Sequence, residues 1–227
     1  MNSQPPPLRL GLRQNWRQFA LLVVVNAFVG AMVGQERAIL PLVARDEFGI
    51  AAGSAVTSFI VAFGVAKAAC NLLAGPLADS LGRRRVLVAG WLIGLPVPFI
   101  DGFAPAWSWI VAANVLLGVN QGLTWTMTLA MKVDLAGPEQ RGLAVGFNEF
   151  SGYFALGLAA WGSAALASTY GPRPAPFAIG VVAALFGLTL SALFVKETGG
   201  YVRAEAVGIP QSTETHQSFA AVFRRVT

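Results

Sequence analysis

Apolar residues run along this chain in six long stretches, separated by short clusters of charge, Gly and Pro. They fall near Phe19–Leu42, Ser54–Leu73, Val86–Phe103, Trp107–Met131, Gly142–Ser168 and Pro176–Val195. A helix of about 20 apolar residues crosses a hydrocarbon core, so the pattern predicts an all-α integral membrane protein, a bundle of six spans over residues 16–197. Residues 1–15 and 198–227 read as tails. Met1–Pro7 is polar and Pro-rich, and too poor in apolar residues to order itself. The second tail holds Gly199-Gly200, Pro210 and a Ser/Thr/Gln run at 211–218, then a short amphipathic piece, Phe219–Arg225. Arg9, Arg13 and Arg17 imitate the start of a signal peptide, but the apolar stretch behind them is too long for a signal core and reads as a retained span.

The first and fourth spans share a pattern. Asn26-x-x-x-Gly30-x-x-x-Gly34 recurs as Asn114-x-x-x-Gly118-x-x-x-Gly122, 88 positions later. At the ends of the second and fifth spans, Ala78–Arg84 is echoed by Ala167–Arg173 at an offset of 89, and a shorter echo, Gly49–Gly53 against Gly142–Gly146, runs at 93. Gly at every fourth position also serves close helix packing by itself, but packing gives no reason for matched offsets at two places. Three spans per copy predicts two repeats of inverted topology.

Composition agrees with a membrane setting. Of 227 residues, 55% are hydrophobic and 12% charged, about half the share of charge in an average soluble domain; mean hydropathy is +0.61. A single cysteine, Cys70, excludes an internal disulfide, and no Cys/His cluster offers a metal site. The net charge of +5 lies among apolar runs, so its partner is a membrane and not a nucleic acid. Twelve basic residues fall on the side of both termini (Arg9, Arg13, Arg17, Arg83, Arg84, Arg85, Lys132, Arg141, Lys196, Arg203, Arg224, Arg225), against Arg37, Arg45 and Arg173 on the other. The positive-inside rule then puts both termini in the cytoplasm of a plasma or inner membrane. Trp16, Trp107, Trp109 and Tyr170 suit the interfacial belts.

The loop after the second span reads Gly75-Pro76-Leu77-Ala78-Asp79-Ser80-Leu81-Gly82-Arg83-Arg84-Arg85. Gly75 allows another helix to approach, Asp79 suits a helix N-terminus, and Gly82 permits a tight turn. This loop resembles the G-x-L-x-D-[RK]-x-G-[RK]-[RK] loop of the major facilitator superfamily. A second loop, Asp134–Gly142, is similar through Pro138-x-x-Arg141-Gly142. The resemblance covers Trp16 to Arg225, but only half of the family's twelve-helix unit. It implies a secondary transporter working by alternating access, in which Gly75, Asp79, Gly82, Arg83, Asp134 and Arg141 form a conformational gate. A second six-helix half is implied too, from the same polypeptide, a separate chain or a second copy. Three departures stand out. Ser80 replaces a basic residue, Asn114 occupies the place of the family's arginine in the fourth span, and Gly152, Gly157 and Gly162 lack the proline of proton-driven drug antiporters.

Charges inside spans are costly and mark function. Lys67 lies about 18 Å and Glu149 about 12 Å from the nearer loop at 1.5 Å per residue, and the two suggest a buried ion pair facing a cavity. Glu36 and Arg37 read equally well as a substrate or proton gate and as an interfacial ion pair. Asn120, Thr124 and Thr128 share one face and are expected to border water or solute, with Asn71, Asn148, Ser151 and Tyr153 extending the lining, while about half of these residues are expected to bond neighbouring helices instead. Proton coupling through Glu149 or Glu36 fits a small solute as cargo. No cofactor is expected. Enzymatic chemistry such as intramembrane proteolysis lacks a base, because the sole histidine, His216, is in the polar tail. A non-transporting assembly subunit of the same fold is the alternative.

Overall fold

The computed structural model describes residues 10–208, and there the chain is helical almost throughout. The helices are α1 (Trp16–Phe48), α2 (Ala52–Leu81), α3 (Arg83–Gly94), α4 (Val97–Phe103), α5 (Trp107–Ala136), α6 (Arg141–Tyr170), α7 (Ala178–Leu193) and α8 (Gly199–Gly208). The readings of Met1–Pro7, His216 and Phe219–Arg225 lie outside the described residues. By length and composition α1, α2, the α3–α4 pair, α6 and α7 can cross a membrane. α5 is as long as α2 and α6 but more polar, since Asn114, Asn120, Gln121, Thr124 and Thr128 occupy its buried face. α5 is the central helix, packed on α1, α2, α3 and α6.

The third span is one crossing made of two helices. Pro96 has no N–H to continue the helical ladder, so α3 ends at Gly94 and α4 restarts beyond it. Beyond this break Asp101, on α4, is fully buried.

α1 against α6 and α2 against α5 are the two most extensive helix pairings, and they are copies of one seam. A Cβ on Gly30 would run into the Gly152 carbonyl and one on Gly34 into that of Leu156; a Cβ on Gly118 would meet the Phe63 carbonyl, and one on Gly122 the Cys70 Cβ with the Lys67 carbonyl next, at 3.0 Å. Gly118 and Gly122 follow Gly30 and Gly34 by 88 positions, while Gly152 and Leu156 follow Phe63 and Lys67 by 89. The offsets read from the sequence are thus the offsets of equivalent contacts, and the bundle is two inverted three-helix repeats. Between helices in lipid, tight backbone approach replaces the hydrophobic drive available in water, which is why glycine is needed there. The echo at 93 is a coincidence: at the structural offset of 89 Gly142 answers Gly53, and Gly49 is the C-cap of α1.

The repeat also shows in the turns. Gly82 (φ +90) ends α2 with its N–H on the Ala78 carbonyl, and Gly171 (φ +86) ends α6 with its N–H on that of Ala167. Only glycine takes these angles without strain.

Candidate functional site

Phe59, Phe63, Lys67 and Asn71 recur every fourth residue, so they form one stripe along α2. Arg37 of α1 reaches across to it, its Cζ 5.2 Å from the Phe59 ring centroid and 4.7 Å from that of Phe63. The Lys67 Nζ lies 5.7 Å from the Phe63 centroid and 5.2 Å from the ring of Trp125 on α5. Tyr153 of α6 packs edge-on against Trp125 at 5.6 Å. Glu149 sits at the far edge of the indole, where its Oε1 accepts from Trp125 Nε1 (3.1 Å) and from Asn148 Nδ2 (2.9 Å). The direct Lys67–Glu149 pair expected from depth is therefore replaced by a cation, an indole and a carboxylate in series. Glu149 still acts electrostatically on Lys67, because the flat ring intervenes without carrying charge.

The polar strip of α5 does not border water as one face. Asn120 and Thr124 are fully buried against α3, where Asn120 Nδ2 donates to the Gly90 carbonyl (2.8 Å) and Thr124 Oγ1 to the Asn120 carbonyl (2.7 Å). Small Gly90 and Gly94 admit them. Thr128 turns the other way, donating to Asn26 Oδ1 (2.8 Å), and Asn26 Nδ2 reaches the Asn148 carbonyl (2.6 Å) and Ser151 Oγ (3.1 Å). These bonds tie α1, α5 and α6 together in the dry interior. Asn71 is exposed and accepts from Thr126 Oγ1 (3.1 Å) across α2 and α5. Lys132, counted above as a loop charge, is fully buried, its Nζ on the Leu22 carbonyl at 3.3 Å.

Glu36 and Arg37 do not form an ion pair among the described residues, because each side chain is drawn to a different neighbour. Arg37 lies on the rings. Glu36 points into the bundle against Asp101 of α4 and Asn114 of α5, with the charge of Arg173 acting on Asp101 from the far end. Both carboxyls are buried, and among the described residues none of their four oxygens has a hydrogen-bond partner of good geometry. Asp101 is the functional candidate that sequence reading missed: it follows Pro96 and Pro98 at the end of a span, where a water-facing position is the default.

At the end of the bundle where α1 begins, the Arg83 Nε lies 2.6 Å from Asp134 Oδ2, Arg83 Nη2 donates to Oδ1 (3.3 Å), and Thr198 Oγ1 donates to Oδ2 (2.6 Å). Arg141 does not join this cluster; it pairs with Glu205 of α8 at 2.6 Å. The N-terminus of α3 is held by Glu197, which accepts the N–H groups of Arg83 (3.1 Å) and Arg84 (3.0 Å). Partial burial pushes the Glu197 carboxyl up, but these donors with those of Thr198 and Gly199 outweigh it and hold it below its ordinary 4.5. Asp79 makes no hydrogen bond or ion pair among the described residues, and nothing lies within 4 Å of a Cβ placed on Gly75. Asp79 instead edges an open groove of ≈ 580 Å³ with Ser80, Arg84, Arg85 and Glu197. At the opposite end Arg173 is paired with Glu47 and donates to the Ala104 carbonyl (2.8 Å).

Residues 16–226 match the family profile described as Major Facilitator Superfamily. A curated relative from Cupriavidus pinatubonensis, named a probable 4-methylmuconolactone transporter, is 29% identical over 160 residues, which is 67% of this chain and 35% of the relative. The aligned part of the chain thus spans about a third of that relative's length.

Proposed function

This chain belongs to the major facilitator superfamily, and on that premise we propose that it is one half of a secondary transporter that moves a small organic solute by alternating access. The observation that carries the reading is the face shared by α1, α2, α5 and α6. It links Arg37, Phe63, Lys67, Trp125 and Glu149 in one row of contacts, while Tyr153 beside Trp125 remains exposed. Residues 16–197 are the transporting half, and residues 1–15 and 198–227 are its tails. The second half closes over the open face, where Gly75 and Asp79 await a helix.

The basic end faces the cytoplasm. Arg13, Arg17, Arg83, Arg84, Arg85, Arg141 and Lys196 support that orientation against Arg45 and Arg173 at the other end. Asp79, Gly82, Arg83, Asp134 and Arg141 act in the switch between states and do not touch solute. Proton coupling belongs to Glu36 and Asp101. Two carboxylates side by side in an apolar interior repel, and one shared proton removes the repulsion while supplying the missing hydrogen bond. Glu149 is the less suitable group, since its Oε1 already accepts from two donors.

The test is uptake by the complete transporter in proteoliposomes, with the solute named for the relative, 4-methylmuconolactone, tried first among small organic acids. An inward proton gradient should drive accumulation that a protonophore abolishes. Neither accumulation nor counterflow above protein-free vesicles would favour the assembly-subunit alternative.

A further inference from the structure

We propose that Arg37 and Lys67 together receive the carboxylate of a flat, unsaturated organic anion, whose body lies against the rings of Phe63 and Trp125. The inference rests on reading the α1/α2/α5/α6 face as the solute path, and it names the class of solute.

Four observations carry it. First, neither cation has a carboxylate within ion-pair distance: the ion pairs among the described residues are Arg45–Asp46, Arg83–Asp134, Arg141–Glu205 and Arg173–Glu47. A half-buried cation inside a membrane span is costly unless something neutralises it, and ring faces compensate only part of that cost. Second, the acids nearby are engaged elsewhere. Glu149 is turned to Trp125 Nε1 and Asn148 Nδ2, and Glu36 is turned toward Asp101 and Asn114. Both acids act on the cations only from a distance, so the direct ion-pair position beside Arg37 and Lys67 is left for a carboxylate from outside the chain.

Third, Arg37 and Lys67 both lie on Phe63, at 4.7 and 5.7 Å from its centroid. Trp125 and the exposed Tyr153 continue the row. A carboxylate held between the cations brings its attached body onto π-faces, which select planar apolar groups by offset stacking. Fourth, the inverted repeat supplies an internal control. At the seam offset of 89, the counterparts of Phe63 and Lys67 are Gly152 and Leu156. The α1–α6 seam packs as closely as the α2–α5 seam with neither ring nor cation in those positions. Helix packing therefore does not require Phe63 and Lys67, and their chemistry is additional to the fold.

The experiment is equilibrium binding to the complete transporter in lipid nanodiscs, using radiolabelled benzoate, its neutral isostere benzamide and the cation benzylammonium. Benzoate should bind, with benzamide and benzylammonium weaker by about tenfold or more, the size of a lost charge-assisted hydrogen bond. Lys67→Gln and Arg37→Gln should each cost about the same factor for benzoate and bring benzamide level with it; Lys67→Arg should keep the preference. If the neutral variants do not fold, the ranking of the three probes on the unmodified protein and on Lys67→Arg decides. Benzamide or benzylammonium binding as tightly as benzoate, or no benzoate binding at millimolar concentration, would overturn the proposal. Binding does not require transport, so the two readings fail separately. Benzoate bound by a protein that moves no solute would sink the transporter reading and leave the site. Solute flux with no benzoate binding would do the reverse.

Discussion

Glu36 and Asp101 face each other from α1 and α4, with oxygens that have no hydrogen-bond partner of good geometry among the described residues. If they share the coupling proton, Glu36→Gln and Asp101→Asn keep the volume and remove the exchange. Uptake driven by a pH gradient should fall to background in either variant, while counterflow, which needs no net proton movement, should persist. Loss of both together would point to a structural role. Glu197 makes a second residue-scale prediction. A carboxyl held below its ordinary 4.5 by backbone donors contributes stability that is present above that pH and lost as pH falls through its lowered value. Glu197→Gln should therefore cost about 1 kcal/mol at neutral pH, as for the loss of a helix cap. The difference in Tm from the unmodified protein should shrink below pH 4.5; a difference constant down to pH 3 would contradict the charge-assisted cap. Neither group was equally legible in the sequence. Glu36 stands out as an acid in an apolar run. Asp101 does not, because its burial comes from the helices packed around α4 and not from its neighbours in the chain.

Helices α1 and α5 each spend two glycines on one partner backbone. Gly30→Ala and Gly118→Ala put a Cβ against a carbonyl with no flexible side chain to yield, so each should cost about 1–3 kcal/mol. Gly64→Ala, on the open side of α2 with nothing within 4 Å, should be neutral or stabilising by up to about 1 kcal/mol through helix propensity. Thermal unfolding in detergent separates them, and equal behaviour of Gly118→Ala and Gly64→Ala would remove the seam from the explanation. The long apolar helices and the repeat were readable because both are one-dimensional: apolar runs measure helix length, and seam glycines keep their spacing. What lies sideways was not. That Trp125 stands between Lys67 and Glu149, that Asn120 turns to α3, and that Lys132 is buried on α1 all depend on how helices rotate against one another. Residue depth along a span carries no such information. The gate loop was half legible: Arg83 contacts Asp134 as the family resemblance implies, but Glu197, just past α7, takes the N-terminus of α3 and Glu205, on α8, the guanidinium of Arg141.

Across the whole bundle, thiol chemistry reads orientation and wetness directly. With Cys70 replaced by Ala, a thiol at Ser80 should react only with reagent on the cytoplasmic side and one at Thr169 only with reagent on the opposite side; the reverse would invert the topology. The face that borders the solute path is distinguished from the faces that border lipid by one comparison. Tyr153 and Phe186 are both large aromatics more than half exposed, at 63% and 55%. Tyr153 packs on Trp125 beside the cations, whereas Phe186 stacks on Phe28 at the apolar junction of α1 and α7. Cysteines placed singly at these two positions in the complete transporter, and challenged with a small membrane-impermeant thiol reagent, ask which face meets water. A solute path between two halves requires Tyr153→Cys to be labelled and Phe186→Cys to stay silent. Labelling at Phe186→Cys with silence at Tyr153→Cys would place the path on the other side of the bundle and contradict the assignment of Arg37, Lys67 and Trp125 to it.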